Sequence, residues 1–221
     1  MRRFLRDNSL SITMFGLFFV FLLLQSITGW RTNNHENQEH RQPTESYAGY
    51  LASGHFVEAT AENWESEFLQ MAGYVVLTAL LFQKGSPESK DPDGEELVDQ
   101  DPREARDRPG VPGPVRRGGL ALTLYEHSLS LAFATLFLLS FLFHAAGGHA
   151  EYNQQQLQHG EAPVSLLGFA TSAEFWFQSF QNWQSEFLAV FALAVLGIFL
   201  RERGSPESKP VAAPHAETGS A

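Results

Sequence analysis

The segment Asn63-Trp64-Glu65-Ser66-Glu67-Phe68-Leu69 returns, with one change, as Asn182-Trp183-Gln184-Ser185-Glu186-Phe187-Leu188. On a helix turning about 100° per residue, Asn63, Ser66, Glu67, Gln70, Gly73 and Tyr74 share one side, matched in the copy by Asn182, Ser185, Glu186, Ala189 and Ala192. Carboxylates set among carboxamides and hydroxyls allow two kinds of chemistry. Brought together in apolar surroundings, Glu67 and Glu186 would share a proton or bind a cation. Held at headgroup depth, they stay hydrated and tie the helix entrance, while Asn63 and Asn182 act as caps or inter-helix hydrogen bonders. The second reading carries more weight, because Glu67 stands at the start of an apolar run and can reach water. A second group, His35, Glu36, Glu39 and His40, has the four-residue spacing that lets a helix present imidazole and carboxylate to a divalent ion. Its counterpart reads Gln154, Gln155, Gln158 and His159, so only one imidazole is matched, and a hydrated loop explains the composition as well.

The elements that must hold these residues are apolar. Of the 221 residues 43% are hydrophobic, and they gather in four blocks: Leu10 to Trp30, about Glu67 to Phe82, about Leu129 to Gly148, and about Glu186 to Leu200. The first has no ionisable residue and, at about 1.5 Å per residue, reaches across a hydrocarbon core of roughly 30 Å. The second and fourth are short unless their helices begin earlier, within the aromatic stretches Tyr47 to Glu67 and Phe169 to Glu186. Such stretches suit interfacial helices, since Trp and Tyr settle at headgroup level, and Thr171 to Glu174 has the pattern of a capping box. The fold expected is an all-α membrane protein with four transmembrane helices, arranged as two parallel-repeat hairpins with interfacial helical segments on the outer side. A cleaved signal peptide competes for the first block, but no small-x-small site follows Leu24 cleanly, and the third block repeats the pattern in mid-chain.

Basic residues orient the helices. Arg2, Arg3 and Arg6 precede the first block, Lys84, Lys90, Arg103, Arg106, Arg108, Arg116 and Arg117 separate the second from the third, and Arg201, Arg203 and Lys209 follow the fourth. Only Arg31 and Arg41 fall on the other side. The positive-inside rule therefore expects a multi-pass protein of the plasma membrane, with both termini and the central linker cytoplasmic.

The chain reads as a duplication. Ser9-Leu10-Ser11 recurs as Ser128-Leu129-Ser130, and Gly85-Ser86-Pro87-Glu88-Ser89-Lys90 recurs as Gly204-Ser205-Pro206-Glu207-Ser208-Lys209, each at the offset of 119 that relates the two Asn-Trp segments. Roughly a third of about 83 gapless positions are identical. An even number of spans per unit keeps both copies in one orientation, as parallel repeats about an axis along the membrane normal. The organisation is then 1–90 as the first two-helix repeat, 91–119 as a disordered acidic and proline-rich linker, 120–209 as the second repeat, and 210–221 as a disordered tail. Each Gly-Ser-Pro reads as a helix stop.

Several functions are disfavoured. There is no cysteine, which removes disulfides, thiolate metal sites and cysteine nucleophiles. The net charge of −10 and the lack of a basic stripe make nucleic acid a poor partner. No phosphate-binding loop, nucleophile elbow, zinc-protease helix or dinucleotide fingerprint is present, so an enzyme has no positive support and no cofactor is expected. The Arg-rich start, the paired hairpins, the duplicated Asn-Trp-x-Ser-Glu-Phe-Leu and the terminal Gly-Ser-Pro-Glu-Ser-Lys resemble a family of small bacterial membrane proteins known only as a domain of unknown function. The resemblance covers most of the chain outside linker and tail; it implies a membrane location and a bacterial source, and it brings no activity. The expectation is a structural or interaction component in the lipid bilayer, self-associating as a homo-oligomer. The alternatives are a small transporter or channel subunit using Asn63, Glu67, Asn182 and Glu186, and an outward-facing metal-binding or sensor protein using the His35–His40 segment.

Overall fold

The computed structural model describes residues 2–94 and 96–219; Met1, Glu95, Ser220 and Ala221, which fall in the first repeat, linker and tail of the sequence reading, lie outside the described residues. Among the described residues every regular element is helical: α1 (Arg2–Asp7), α2 (Ser9–Glu39), α3 (Tyr47–Tyr50), α4 (Gly54–Leu80), α5 (Gly113–Arg117), α6 (Gly119–Glu126), α7 (Ser128–Gln158), α8 (Leu166–Ala170) and α9 (Ala173–Phe199). Short 3-10 turns at Leu97–Asp99 and Pro102–Ala105 lie in the linker.

Among the described residues three helices, α2, α7 and α9, are long and apolar enough to cross a membrane, not the four expected. α4 is as long as α9, at 27 residues, but Glu58, Glu62, Glu65 and Glu67 occupy its first half and leave an apolar run only from Phe68 onward. In the three candidate spans the apolar side chains point outward: Phe15, Leu142 and Phe191 are each more than 60% exposed. Continuous apolar surface on that scale suits acyl chains rather than water. α2 and α7 also exceed the expected blocks. Each has 31 residues, about 46 Å at about 1.5 Å per residue, so the polar turns after Trp30 and Gly148 project beyond a hydrocarbon core of roughly 30 Å.

The chain forms two compact units, and each draws on both halves of the sequence: residues 1–61 with 142–176, and 62–141 with 177–219 of the described chain. In the first unit the core is aromatic, with Tyr50, Phe169 and Phe175 almost wholly buried and the His144 ring stacked on Phe175 at 4.7 Å. Glycine makes room for these rings. A Cβ on Gly29 would collide with the Tyr50 hydroxyl, and one on Gly148 would meet the Phe169 ring at 2.8 Å. The backbones of α4 and α7 touch at another glycine pair: a Cβ on Gly147 would lie 2.6 Å from Glu58 N, and one on Gly54 would lie 2.9 Å from Gly147 O. Small residues at such a crossing are how helices associate in lipid, where hydrophobic burial no longer discriminates. The connections are pinned by side chains. Asn34 clasps the backbone of Glu45, accepting from its N at 2.6 Å and donating to its O at 2.9 Å, and Asn153 clasps Val164 at 2.8 and 3.1 Å. The expected capping box at Thr171 is replaced by a cap one residue later: Thr171 Oγ1 donates back to Leu167 O while closing α8, and Ser172 Oγ accepts from Phe175 N.

In the second unit the two Gly-Ser-Pro-Glu-Ser-Lys segments fold alike. Gln83 N donates to Ser89 Oγ at 2.8 Å and Glu202 N to Ser208 Oγ at 2.9 Å, while Gly85 and Gly204 take φ of 86° and 88°. That left-handed backbone suits glycine. The glycines sit in the turn rather than at the helix end, because α4 stops at Leu80 and α9 at Phe199. After α9 the open carbonyls of Gly197, Ile198 and Leu200 accept from Arg201 Nη1. The tail carries definite bonds. Lys209, 1% exposed, directs Nζ at four carbonyl oxygens: Gly85 at 2.6 Å, Glu217 at 2.9 Å, His215 at 3.0 Å and Pro214 at 3.2 Å. Thr218 Oγ1 accepts from Gly85 N, and Gly219 N donates to Ser86 O.

Candidate functional site

The duplicated Asn-Trp segments meet in the second unit, on α4 and α9. Trp183 Nε1 donates to Glu65 Oε1 at 2.8 Å, and Asn182 Nδ2 donates to Glu62 Oε1 and to Gln178 O. Glu65 is fully buried. The Trp183 ring also meets Phe137 at 6.1 Å and Phe180 at 5.5 Å, giving the indole apolar walls around its one polar edge. One helical turn further along α4, Gln70 Nε2 donates to the backbone oxygen of Glu186 at 3.3 Å, and Gly73 lies against the Phe187 ring.

The six residues singled out in the sequence fall in different places. Asn182 is in the contact. Ser66 is buried, but its hydroxyl donates to Asn63 O at 2.8 Å, within its own helix, and Ser185 does the same to Asn182 O. Asn63 and Glu67 are exposed, and Glu186 is half-buried. Glu67 and Glu186 lie within range of each other's charge. The carboxylates that bond across the contact are Glu62 and Glu65, both outside the expected stripe. Their one sequence signal is asymmetry: the matching positions in the copy are Gln181 and Gln184, so the acidic pair belongs to one helix only.

The His35–His40 segment forms the last turns of α2. His35 Nε2 lies 3.3 Å from Glu39 Oε1 on an exposed surface. Among the described residues no group of three His, Cys, Asp or Glu side chains converges as a metal site. The His40 ring instead meets the ring of His159, its counterpart, at 6.0 Å.

Among the described residues, three helices of spanning length and apolar composition in an all-helical fold suggest a multi-pass membrane protein. The chain belongs to the family described as Domain of unknown function (DUF6766), whose match runs over residues 1–220. No curated protein and no solved structure matches it.

Proposed function

We propose that this chain is a non-enzymatic structural or interaction component of a bacterial cytoplasmic membrane, built by duplication as a four-helix bundle that self-associates. The observation that carries this reading is the α4–α9 contact, where the buried Glu65 receives the Trp183 indole and Glu62 receives the Asn182 amide. Polar groups that bond to each other across a helix pair serve as association contacts in lipid. In this reading α4 accompanies the three apolar helices as a fourth crossing, with Glu62 and Glu65 turned toward α9. Duplication is supported by element bounds: both ends of α2 and α7, and both ends of α4 and α9, differ by 119. The sidedness follows the basic residues, with both termini and the 91–119 linker in the cytoplasm.

Reconstitution tests the reading. Proteoliposomes holding the full chain should pass protons and alkali cations no faster than empty vesicles. Flux above that level, removed by Glu67→Gln with Glu186→Gln, would replace it with the transporter or channel reading. The lack of cysteine makes topology directly accessible. Single cysteines at Gln42 and at Glu104 should react with an impermeant maleimide from opposite faces of the membrane, and labelling from one face would refute the assignment.

A further inference from the structure

Where α2 and α7 run past their apolar stretches, their last turns enclose a polar cleft of about 270 Å³ in the first unit. Its floor holds Asn33, Asn37 and Glu151, and its rim Glu36, His40 and His159. The floor is unusual in what it leaves undone. Asn33 and Asn37 are each 4% exposed, yet among the described residues nothing hydrogen-bonds to either side-chain amide. Asn34, between them, shows the contrast, since both ends of its amide are used on the Glu45 backbone. The two side chains are buried, but their amide polar atoms keep contact with solvent in this cleft, where a solute with complementary groups can take the place of water.

Glu151 sets the charge that a complementary solute must carry. It is 8% exposed, its Oε1 accepts from Gln155 Nε2 at 3.1 Å, and among the described residues no Lys, Arg or His lies within 4.0 Å of it. Glu36 on the rim has no ion pair among the described residues either. In a cleft that adjoins the first through Asn37, Glu45 Oε2 is buried without a hydrogen bond. Burial first, then the charges of Glu151, Glu36 and Glu45, push the Tyr50 phenol up to about 12. Three carboxylates thus act on one buried side chain, whose hydroxyl is also hydrogen-bonded to the His55 ring at 3.1 Å, and a carboxylate out of water is costly until paired.

We infer that this cleft binds a small organic cation bearing several N–H donors, an ammonium or amidinium compound, with Glu151 and Glu36 meeting its charge and Asn33 and Asn37 its hydrogen bonds. The volume is that of about nine waters, room for a short amine and not for a peptide. A divalent metal fits less well, because no three ligating side chains converge there among the described residues.

The test uses the full chain in detergent, titrated by calorimetry and ligand-observed NMR with methylguanidinium and putrescine. N-methylurea serves as the neutral control, and Mg²⁺ and Zn²⁺ as the metal alternatives. Saturable binding of at least one cation is expected, with no binding of N-methylurea and at least about a tenfold loss of affinity in Glu151→Gln. Equal binding of N-methylurea, unchanged affinity in Glu151→Gln, preference for a metal, or no saturation by about 10 mM would overturn the inference. If Glu151→Gln does not fold, Glu36→Gln and the charged-against-neutral comparison on the unaltered chain decide.

Discussion

Replacing Lys209 with methionine keeps the length and apolar stem of the side chain and removes the ammonium that holds the tail. Nζ has three protons for four carbonyl oxygens, so three charge-assisted bonds form at a time. Each such bond contributes about 1.5–3 kcal/mol. Against this stands the cost of taking the ammonium out of water, several kcal/mol after relaxation. Burial, and then the Arg201 guanidinium, lower the Lys209 pKa while Glu217 pulls the other way, the mark of a partly offset gain. A net loss of about 2–4 kcal/mol in tail docking is therefore expected, which multiplies the open population by about 30 to 900. Amide hydrogen exchange at Gly85 and Gly219, whose N–H groups donate to Thr218 and to Ser86, reads this directly. The matching substitution Lys90→Met is the control: Lys90 pairs with a half-exposed Asp99 and lies over the Phe82 ring, and its loss should change exchange by less than about 1 kcal/mol. If both variants exchange like the parent chain, or both rise equally, the tail is not held by Lys209.

Two further predictions concern the first unit. Gly147→Val should prevent the α4–α7 crossing, because its side chain would enter the space held by Glu58 N and Val57, and overpacking of this kind costs about 1–3 kcal/mol; thermal unfolding in detergent should fall measurably below that of the parent chain, and an unchanged midpoint would refute the crossing. The Tyr50 phenolate should appear only near pH 12, seen as the difference between the parent chain and Tyr50→Phe in ultraviolet titration. The folded chain keeps a proton that the unfolded chain releases near pH 10, so stability is fully present below pH 10 and declines as pH rises toward 12. A phenolate titrating near 10 would contradict the burial and the neighbouring carboxylates.

The long helices were legible because lipid imposes a composition that needs no partner to be read. The apolar runs of α2, α7 and α9 emerge from residue types alone. Their extents did not, since Arg31 to Glu39 and His149 to Gln158 look like hydrated loops until the helix is seen to continue through them. α4 is harder to read: four glutamates stand between its aromatic entrance and its apolar run, so composition alone does not mark it as a span. The polar contact was half visible. Asn182 belongs to the stripe that periodicity selects, but the carboxylates facing it, Glu62 and Glu65, depend on how α4 and α9 cross, which one helix cannot specify. Ser66 and Ser185 entered the stripe as small polar residues, yet each satisfies its hydroxyl within its own helix and needs no neighbour. The cleft is hidden in the sequence because spacing groups His35, Glu36, Glu39 and His40 along one helix, whereas its floor pairs Asn33 and Asn37 with Glu151 from another.

The docked tail bears on how the protein is handled at the bench. Gly219 is already bonded to Ser86, so a purification handle or fluorescent reporter attached just beyond it would tug at the carbonyls gathered around Lys209. Such additions are better placed ahead of α1, whose six residues are all exposed, where extra chain disturbs nothing that is packed.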